Sequence, residues 1–392
     1  MRTDSPTKDG TVGISGFEGI NNRLDPVALT PKWQTAATGV LLDDVRHFVS
    51  QPVAIPALAG VEDAFSTRDG RMYAVVAGRL LRLDLDGVAV DLGPMPGAPF
   101  AWAELGYAVF ALSLAGPEDW ALYPDRLVPW SVPTPAAPPA VYPVAGRMPA
   151  GRYLVAAVLE AADGRLGGAS PLAAVTLAAT GGLRADLAPP AGFEARIYVT
   201  GPDGEVPRFA GHAPLDVTDI ALGGPELPAR TFPPPRGRLV CSVGNRMVVA
   251  VAEPDLDRSV LYWSEPDAPH RFDLLEHQLV AGTVTLLADV GGSLLVATDR
   301  AIVLAPTGGP AQPVADYGAP EGEVARAPDG RALFWTDRGL CAAPPFEILT
   351  EDRLSPTARR RASCARLRYR GSEYIIASLS APRSTEEVST WP

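Results

Sequence analysis

A turn and an apolar run meet in the stretch Gly244-Asn245-Arg246-Met247-Val248-Val249-Ala250. Glycine adopts the positive φ angles that tight turns require, and β-branched residues favour an extended strand. The same combination of a Gly turn, an apolar run, a short break and a second apolar run recurs along the chain and predicts β-hairpins. The six turns begin at Gly70, Gly106, Gly244, Gly291, Gly330 and Gly371.

These hairpins recur at a nearly constant spacing. Their starts are 36, 138, 47, 39 and 41 residues apart, and a four-stranded propeller blade takes about 40 to 50 residues. The long gap contains a stretch of different character, residues 141–235, and removing its 95 residues from 138 leaves 43. The spacing predicts a β-propeller of about six blades; the alternative is a pair of β-sandwiches with accidental spacing.

Pro-rich segments at 133–143 and 228–235 mark the boundaries of this inserted stretch. Short apolar runs separated by turns within it predict an inserted immunoglobulin- or fibronectin-like β-sandwich. The expected domains are an extended N-terminal arm at 1–35, the first part of the propeller at 36–140, the β-sandwich at 141–235 and the second part of the propeller at 236–392.

Composition supports an all-β fold class and limits the partners. The 38 Gly and 41 Pro disfavour long helices. A net charge of −11 argues against a broad nucleic-acid-binding surface. One basic block is more typical of a solvated strand face and turn than of a nucleic-acid contact. It comprises Arg359, Arg360, Arg361, Arg366, Arg368 and Arg370.

The cysteines and the N-terminus bear on the compartment. Cys241, Cys341 and Cys364 are widely spaced and include no C-x-x-C pair for zinc, so we expect buried thiols in a reducing compartment. Residues 1–10 lack the apolar core of a signal peptide, and no run of about 18 apolar residues occurs. The sequence therefore predicts neither export by a signal peptide nor a membrane anchor.

The sequence contains no recognisable catalytic motif. It has no G-x-S-x-G elbow, H-E-x-x-H, Walker loop or G-x-G-x-x-G after a strand. His270 and His277 could bind a metal together with Asp273 and Glu276, but their spacing matches no ligand pattern and exposed loop positions are favoured. Carboxylates paired for glycoside hydrolysis can be distant in sequence, so spacing identifies none. We expect no catalytic, cofactor-binding or metal-binding residues, no cofactor and no enzymatic activity.

Two further patterns have structural explanations. The acidic turns Asp84-Leu85-Asp86-Gly87 and Asp255-Leu256-Asp257 resemble fragments of calcium loops, but both are incomplete, and an Asp-Gly hairpin turn needs no ion. The pairs Tyr262-Trp263 and Phe334-Trp335 lie in β-patterned runs. We expect these aromatic residues to pack in blade cores rather than to stack on a sugar or a base.

Short motifs follow one another along almost the whole chain. They are the stretch at 17–26 (FEGINNRLDP), then 36–44, 151–170 with 196–200, 244–250, 261–266 with 271–273, 294–298, 317–319 and 334–339. In their order and spacing they resemble the tail nozzle, or tail tubular, proteins of short-tailed bacteriophages and their relatives in other tailed phages. Residues 151–170 and 196–200 are similar to the sandwich inserted in those proteins.

Two features depart from the family pattern. After Asp43-Asp44 the family continues with a Gly and an Arg-rich turn, whereas Val45-Arg46-His47-Phe48-Val49 follows here. The chain is also short for a nozzle protein. We therefore expect the distal domains of larger members to be absent and the tip of the tail to be completed by other proteins.

The resemblance implies a structural virion protein of a phage tail, assembled in the host cytoplasm as a homohexameric ring below the adaptor and portal. Its implied partners are other copies of itself, the adaptor or head–tail connector, and distal tail or fibre proteins. DNA would pass through the channel without sequence-specific binding, and inward-facing acidic residues would repel its phosphates. The alternatives are a receptor-binding tail protein and a β-propeller that degrades glycans of the host envelope.

Overall fold

The computed structural model describes residues 60–83, 88–124, 126–219, 223–307, 309–327, 329–351, 361–369 and 372–379, together with four short N-terminal strands. These strands are β1 (Gly19–Ile20), β2 (Trp33–Gln34), β3 (Val40–Leu42) and β4 (Phe48–Ser50). The rest of the arm predicted at 1–35, most of the motif at 17–26 and the acidic turn at 84–87 lie outside the described residues. The chain divides into a larger unit, residues 60–253 and 259–279, and a smaller unit formed by the remainder.

Three sheets of the larger unit are four-stranded meanders, in which the strand order follows the chain. The first contains β5 (Val61–Ser66), β6 (Met72–Val76), β7 (Arg79–Leu83) and β8 (Ala89–Pro94). The second contains β9 (Phe100–Leu105), β10 (Ala108–Ser113), β11 (Trp120–Tyr123) and β12 (Arg126–Pro129). The third follows an insertion of eight strands that has a different topology.

This insertion, the inserted module, folds as two sheets that share one buried core. The three-stranded sheet has the order β13-β17-β20; the other has the order β15-β14-β18-β19, with β16 also paired to β14. Tyr153 and Ile197 of the second sheet pack against Leu183 of the first, and all three are fully buried. The strands are β13 (Ala140–Met148), β14 (Gly151–Ala161), β15 (Leu166–Ala169), β16 (Ala173–Leu177), β17 (Gly181–Asp186), β18 (Phe193–Val199), β19 (Arg208–His212) and β20 (Leu215–Val217).

The remaining strands repeat the meander. The third meander contains β21 (Leu239–Val243), β22 (Arg246–Glu253), β23 (Arg258–Glu265) and β24 (Ala268–Ala281), with a 3₁₀ turn at Pro254–Leu256. The smaller unit contains β25 (Val284–Val290), β26 (Ser293–Thr298), β27 (Ile302–Ala305) and β28 (Gln312–Ala315), then β29 (Ala325–Arg326), β30 (Ala332–Thr336), β31 (Gly339–Ala343) and β32 (Glu347–Ile348). The antiparallel pair β33 (Ala362–Tyr369) and β34 (Ser372–Leu379) follows.

The second strand of each meander is largely buried on both faces. In β10, Val109 packs in a core shared with Val75 of the first meander, whereas the adjacent Phe110 packs in a core shared with Met247 of the third. Successive strand residues point to opposite faces, so each face of the second meander covers a different neighbouring sheet. This explains why β10 is a continuous apolar run rather than an alternating one.

The same arrangement occurs within the smaller unit. Phe334 of β30 packs in a core with Leu295 of β26, while its neighbour Trp335 packs with Cys364 of β33. The protein is therefore all-β, with five four-stranded sheets among the described residues and hairpins across the predicted turns at Gly70, Gly106, Gly244, Gly291 and Gly330. The sixth turn glycine, Gly371, lies outside the described residues.

One turn sequence, Asp-Gly-Arg, occurs at three hairpins with the same geometry. In Asp69-Gly70-Arg71, Asp163-Gly164-Arg165 and Asp329-Gly330-Arg331, the glycine has a φ of +87°, +82° and +87°. The arginine Nε donates to the aspartate two residues earlier at 2.9, 2.8 and 2.6 Å. Each hairpin therefore closes its own turn with a left-handed glycine and a local ion pair. No helix in the described part of the chain is long and apolar enough to cross a membrane.

Candidate functional site

The inserted module is attached to the second and third meanders through a buried tryptophan. Trp130 directly follows β12 and is fully buried. Its Nε1 donates a 2.9 Å hydrogen bond to the carbonyl oxygen of Pro269. Its ring packs against Phe110 and Phe272, with centroids 5.1 and 6.4 Å away. The linker to the module therefore begins inside the core of the two meanders.

Arg165, in the Asp-Gly-Arg turn of the module, binds back to the same linker. Its Nη1 and Nη2 donate to the carbonyl oxygens of Trp130 and Pro129, both at 2.8 Å. Its Nε is paired with Asp163. Burial alone would raise the pKa of Asp163, but the hydrogen bonds and charge of Arg165 outweigh it and lower that pKa. Two nitrogens of the guanidinium thus fix the module to the linker, and the third, Nε, fixes the arginine within its own turn.

The return linker is held by β24 and by β15 of the module. Phe232 and Phe272 exchange two backbone hydrogen bonds, at 2.9 and 2.8 Å. A Cβ on Gly168 would lie only 1.8 Å from the carbonyl oxygen of Thr231, so the two backbones touch at a position that only glycine allows. Arg271 Nε donates to Thr231 Oγ1 at 3.2 Å.

A histidine of β24 completes this junction. His270 is 8% exposed, and its Nε2 lies 3.0 Å from the carbonyl oxygen of Leu166, in the module. Burial, followed by the nearby positive charge of Arg165, lowers the pKa of His270 to about 4. The imidazole is therefore neutral at physiological pH, with Nε2 as the donor to the carbonyl oxygen.

A second group of polar side chains lies on the module, on the face formed by β14, β18 and β19. Glu160 of β14 is directly opposite Glu194 of β18, and Arg196 of β18 is opposite His212 of β19. His212 Nε2 lies 3.4 Å from Glu160 Oε2 and 3.7 Å from Glu194 Oε2. Arg196 Nη1 lies 3.4 Å from the other oxygen of Glu160, Oε1.

An aromatic ring orients two members of this group. The Arg196 guanidinium lies over the ring of Phe209, with Cζ 4.2 Å from the centroid. The His212 ring meets the same phenyl ring at 5.4 Å and an interplanar angle of 73°. Phe209 therefore holds a cation on its face and an imidazole nearly perpendicular to it. We call Glu160, Glu194 and His212 the carboxylate–histidine cluster.

No family model matches this chain. No curated protein matches it either. Solved structures show a distant likeness. Apo AztD from Citrobacter koseri is 12% identical, with 82% of this chain and 90% of that one covered and a TM-score of 0.29. An inactive virginiamycin B lyase from Staphylococcus aureus, crystallised with quinupristin, is 10% identical, with 72% and 93% covered and a TM-score of 0.22.

PorZ, a surface component of the type-IX secretion system of Porphyromonas gingivalis, is 11% identical over 73% of this chain, with a TM-score of 0.20. This chain spans 40% of PorZ and 32% of the extracellular domain of a two-component system, BT4673, from B. thetaiotaomicron. TM-scores this low assign neither a family nor a function.

The four residues considered from sequence for a metal site have separate roles. Glu276 accepts two hydrogen bonds of 2.6 Å from Arg246, and Asp273 accepts one from the backbone N of Leu275. His277 is exposed beside Tyr262, whereas His270 is buried at the junction. The sequence predicted loop positions for these residues, and this is wrong: all four lie in the long strand β24, which runs from Ala268 to Ala281.

The remaining candidates are placed as follows. Asp257 accepts two hydrogen bonds from the guanidinium of Arg300, at 2.6 and 2.8 Å, which accounts for its carboxylate without an ion. Trp263, Phe334 and Trp335 are buried, as predicted for core residues. In the basic block, Arg361 is exposed and Arg366 and Arg368 lie on β33; Arg359, Arg360 and Arg370 are outside the described residues.

Two of the three cysteines, Cys341 and Cys364, occupy core positions. Burial raises the pKa of both Cys341 and Cys364 to about 11, and Cys241 is half-buried. Sequence reasoning missed the carboxylate–histidine cluster because its members are 18 to 52 residues apart on three strands. Only the register of the sheet brings them together.

Proposed function

We propose that this protein is a structural component of a bacteriophage tail, built as a β-propeller with an inserted immunoglobulin-like β-sandwich. In this proposal the five meanders are blades, and β33 and β34 contribute to a sixth. The burial of β10 and β30 on both faces supports it, because radially packed blades cover both faces of each sheet. The ordered motifs that resemble tail nozzle proteins supply the assignment to a phage tail.

The single observation on which the structural role depends is the fixed junction of the inserted module. Trp130 and Arg165 hold the outgoing linker, His270 bonds the module directly to β24, and Phe272 and Arg271 hold the return linker. A flexible linker would let the module reorient, whereas a component of a ring needs every surface to repeat in the same orientation around the symmetry axis. A fixed module provides such a repeated surface for neighbouring subunits or tail proteins.

The proposal is tested by measuring the mass of the assembly. The purified chain is studied by mass photometry and negative-stain electron microscopy, alone and mixed with the adaptor and portal proteins encoded near it. We expect rings with six copies of the 41.2 kDa chain, with or without those partners. A 41.2 kDa monomer under both conditions would contradict the proposal.

A second measurement separates the proposal from the glycan-degrading alternative. The chain is incubated with envelope polysaccharide from the host, and the products are separated by size. Unchanged polysaccharide is the result expected of a structural protein. Shortened glycans would instead support an enzyme.

A further inference from the structure

Two of the three distances between ligand atoms in the carboxylate–histidine cluster are close to those of a metal site. In a tetrahedral zinc site with bonds of about 2.0 to 2.2 Å, neighbouring ligand atoms are about 3.3 to 3.6 Å apart. His212 Nε2 lies 3.4 Å from one carboxylate oxygen and 3.7 Å from the other, and the three ligand atoms all lie within 4.8 Å of one another. Imidazole nitrogen and carboxylate oxygen are both ligands that zinc accepts.

The residues around the cluster resemble the outer shell of a metal site. Arg196 binds Oε1 of Glu160 and leaves Oε2 directed toward His212. Phe209 packs against both Arg196 and His212. Its ring therefore fixes the arginine that binds Glu160 and also the orientation of the His212 imidazole. Outer-shell groups of this kind hold ligands in the geometry that the metal requires.

The sheet register places two negative charges directly opposite each other. Like charges in cross-strand positions destabilise a sheet, and Glu160 and Glu194 are such a pair. Arg196 contacts only Glu160 within this group, so its single positive charge does not balance both carboxylates. A divalent cation between the carboxylates and His212 would remove the repulsion.

We propose that Glu160, Glu194 and His212 bind one divalent transition-metal ion, Zn²⁺ in particular, on the surface of the inserted module. Three protein ligands leave a fourth position for water or another donor. The side chains of Glu194 and His212 are 75% and 47% exposed, which gives the ion a path from solvent. This site goes beyond the proposed structural function and does not depend on it.

Isothermal titration of the untagged, chelator-treated chain with Zn²⁺ at neutral pH tests the proposal. We expect one ion per chain. Glu194→Gln and His212→Gln should each weaken the affinity at least about tenfold, because each removes a ligand. The side chain of Glu194 is largely exposed and that of His212 about half exposed, so these variants should fold, and circular dichroism without metal verifies it. Zn²⁺ should raise the thermal midpoint of the wild-type chain and not that of either variant.

His277→Gln is the matched control. His277 is an exposed histidine outside the module, and its replacement should leave the affinity for Zn²⁺ unchanged. Co²⁺ in place of Zn²⁺ should give the absorption of a tetrahedral nitrogen–oxygen site without a thiolate charge-transfer band, which separates the site from the cysteines. The proposal would be overturned by a wild-type dissociation constant above about 1 mM, by variants that bind as tightly as wild type, or by a thiolate band.

Discussion

Two arginines that are withdrawn from solvent, Arg165 and Arg246, bind to backbone carbonyls as well as to opposite charges. Arg165 donates to two carbonyl oxygens in addition to Asp163. Arg246 donates to the carbonyl oxygen of Ser264 in addition to Glu276. Burying a charge is costly unless its donors are satisfied, and the planar guanidinium can satisfy several acceptors at once. These arginines therefore fix backbone positions that a lysine would leave partly unbonded.

The first prediction concerns Arg246→Lys. The side chain of Arg246 is 10% exposed and forms a two-pronged pair with Glu276, whose pKa is lowered by those hydrogen bonds. Lysine retains the charge but cannot form the two parallel hydrogen bonds to Glu276 together with the bond to the carbonyl oxygen of Ser264. We expect the free energy of unfolding to fall by about 1 to 2 kcal/mol. The loss is no larger because Glu276 is partly exposed and solvent screens the pair. Urea denaturation measures it.

Arg79→Lys is the control for that variant. Arg79 and Asp91 form a pair in the same unit, but both side chains are about half exposed. This substitution should leave the denaturation midpoint nearly unchanged. Equal effects of the two substitutions would show that burial does not determine the contribution of these pairs.

The second prediction concerns the pH dependence of stability through His270. The folded imidazole has a pKa of about 4, whereas an unfolded histidine titrates near its ordinary value of 6.5. Between these pH values the unfolded chain binds more protons, so the free energy of unfolding falls as the pH is lowered from about 6.5 to about 4, by up to about 3 kcal/mol. Denaturation at a series of pH values measures the slope.

His270→Gln tests that assignment. The glutamine amide can still donate to the carbonyl oxygen of Leu166 but does not titrate, so this part of the slope should disappear. His277→Gln should keep it, because His277 is exposed and lies away from the junction. A slope that persists in His270→Gln would mean that other groups cause it.

At the scale of single elements, the hairpin turns could be predicted from sequence and the register-dependent groups could not. A turn such as Gly330 depends on a few adjacent residues, and its positive φ is the reason that glycine stands there. The carboxylate–histidine cluster depends on which residues of β14, β18 and β19 face each other, and periodicity does not contain that information. The junction at Trp130 was missed for the same reason, because its partner Pro269 is 139 residues away.

The third prediction concerns Gly330 of the smaller unit. A Cβ there would meet no other atom, so the cost of Gly330→Ala comes from the backbone angle alone, with φ at +87°. We expect a loss of about 1 to 2 kcal/mol. Gly330→Asn should lose less, because asparagine enters the left-handed region more readily. In thermal denaturation the midpoint should be highest for the wild-type glycine, lower for asparagine and lowest for alanine. An alanine variant as stable as wild type would contradict this account.

At the scale of the whole molecule, repetition explains why the fold class could be predicted. Each meander is a local unit, so a constant spacing of turns indicated several four-stranded sheets. The two-sheet packing of the inserted module depends on contacts between distant strands, such as Tyr153 with Leu183. Short apolar runs separated by turns indicated strands there without showing which strands share a sheet.

The fourth prediction concerns the attachment of the module. Trp130→Ala removes a fully buried indole and its bond to Pro269, and should cost about 3 to 5 kcal/mol. Hydrogen exchange should increase in both linkers, near residues 130–134 and 229–232. Tyr107→Ala, at a 67% exposed position in the same meander, should leave both linkers protected. Unchanged exchange in Trp130→Ala would show that the junction does not fix the module.

The fifth prediction concerns DNA. The net charge of −11 predicts that the protein does not retain duplex DNA at physiological salt, which the proposed role in a phage tail requires. Fluorescence anisotropy with labelled duplexes of random sequence should show no binding at micromolar protein. Retention that weakens steeply with added salt would contradict this prediction and indicate a basic surface.

The two linkers of the inserted module run side by side, since Thr134 Oγ1 of the outgoing linker donates to the carbonyl oxygen of Thr231 in the returning one at 2.6 Å. The ends of the insertion are thus already adjacent, so a folded domain with closely spaced termini can connect them through short linkers, whose loop-closure entropy is small. Evolution and protein engineering can both exploit such a place. A domain whose termini lie close together can be exchanged here without altering the strand pairing of the meanders on either side.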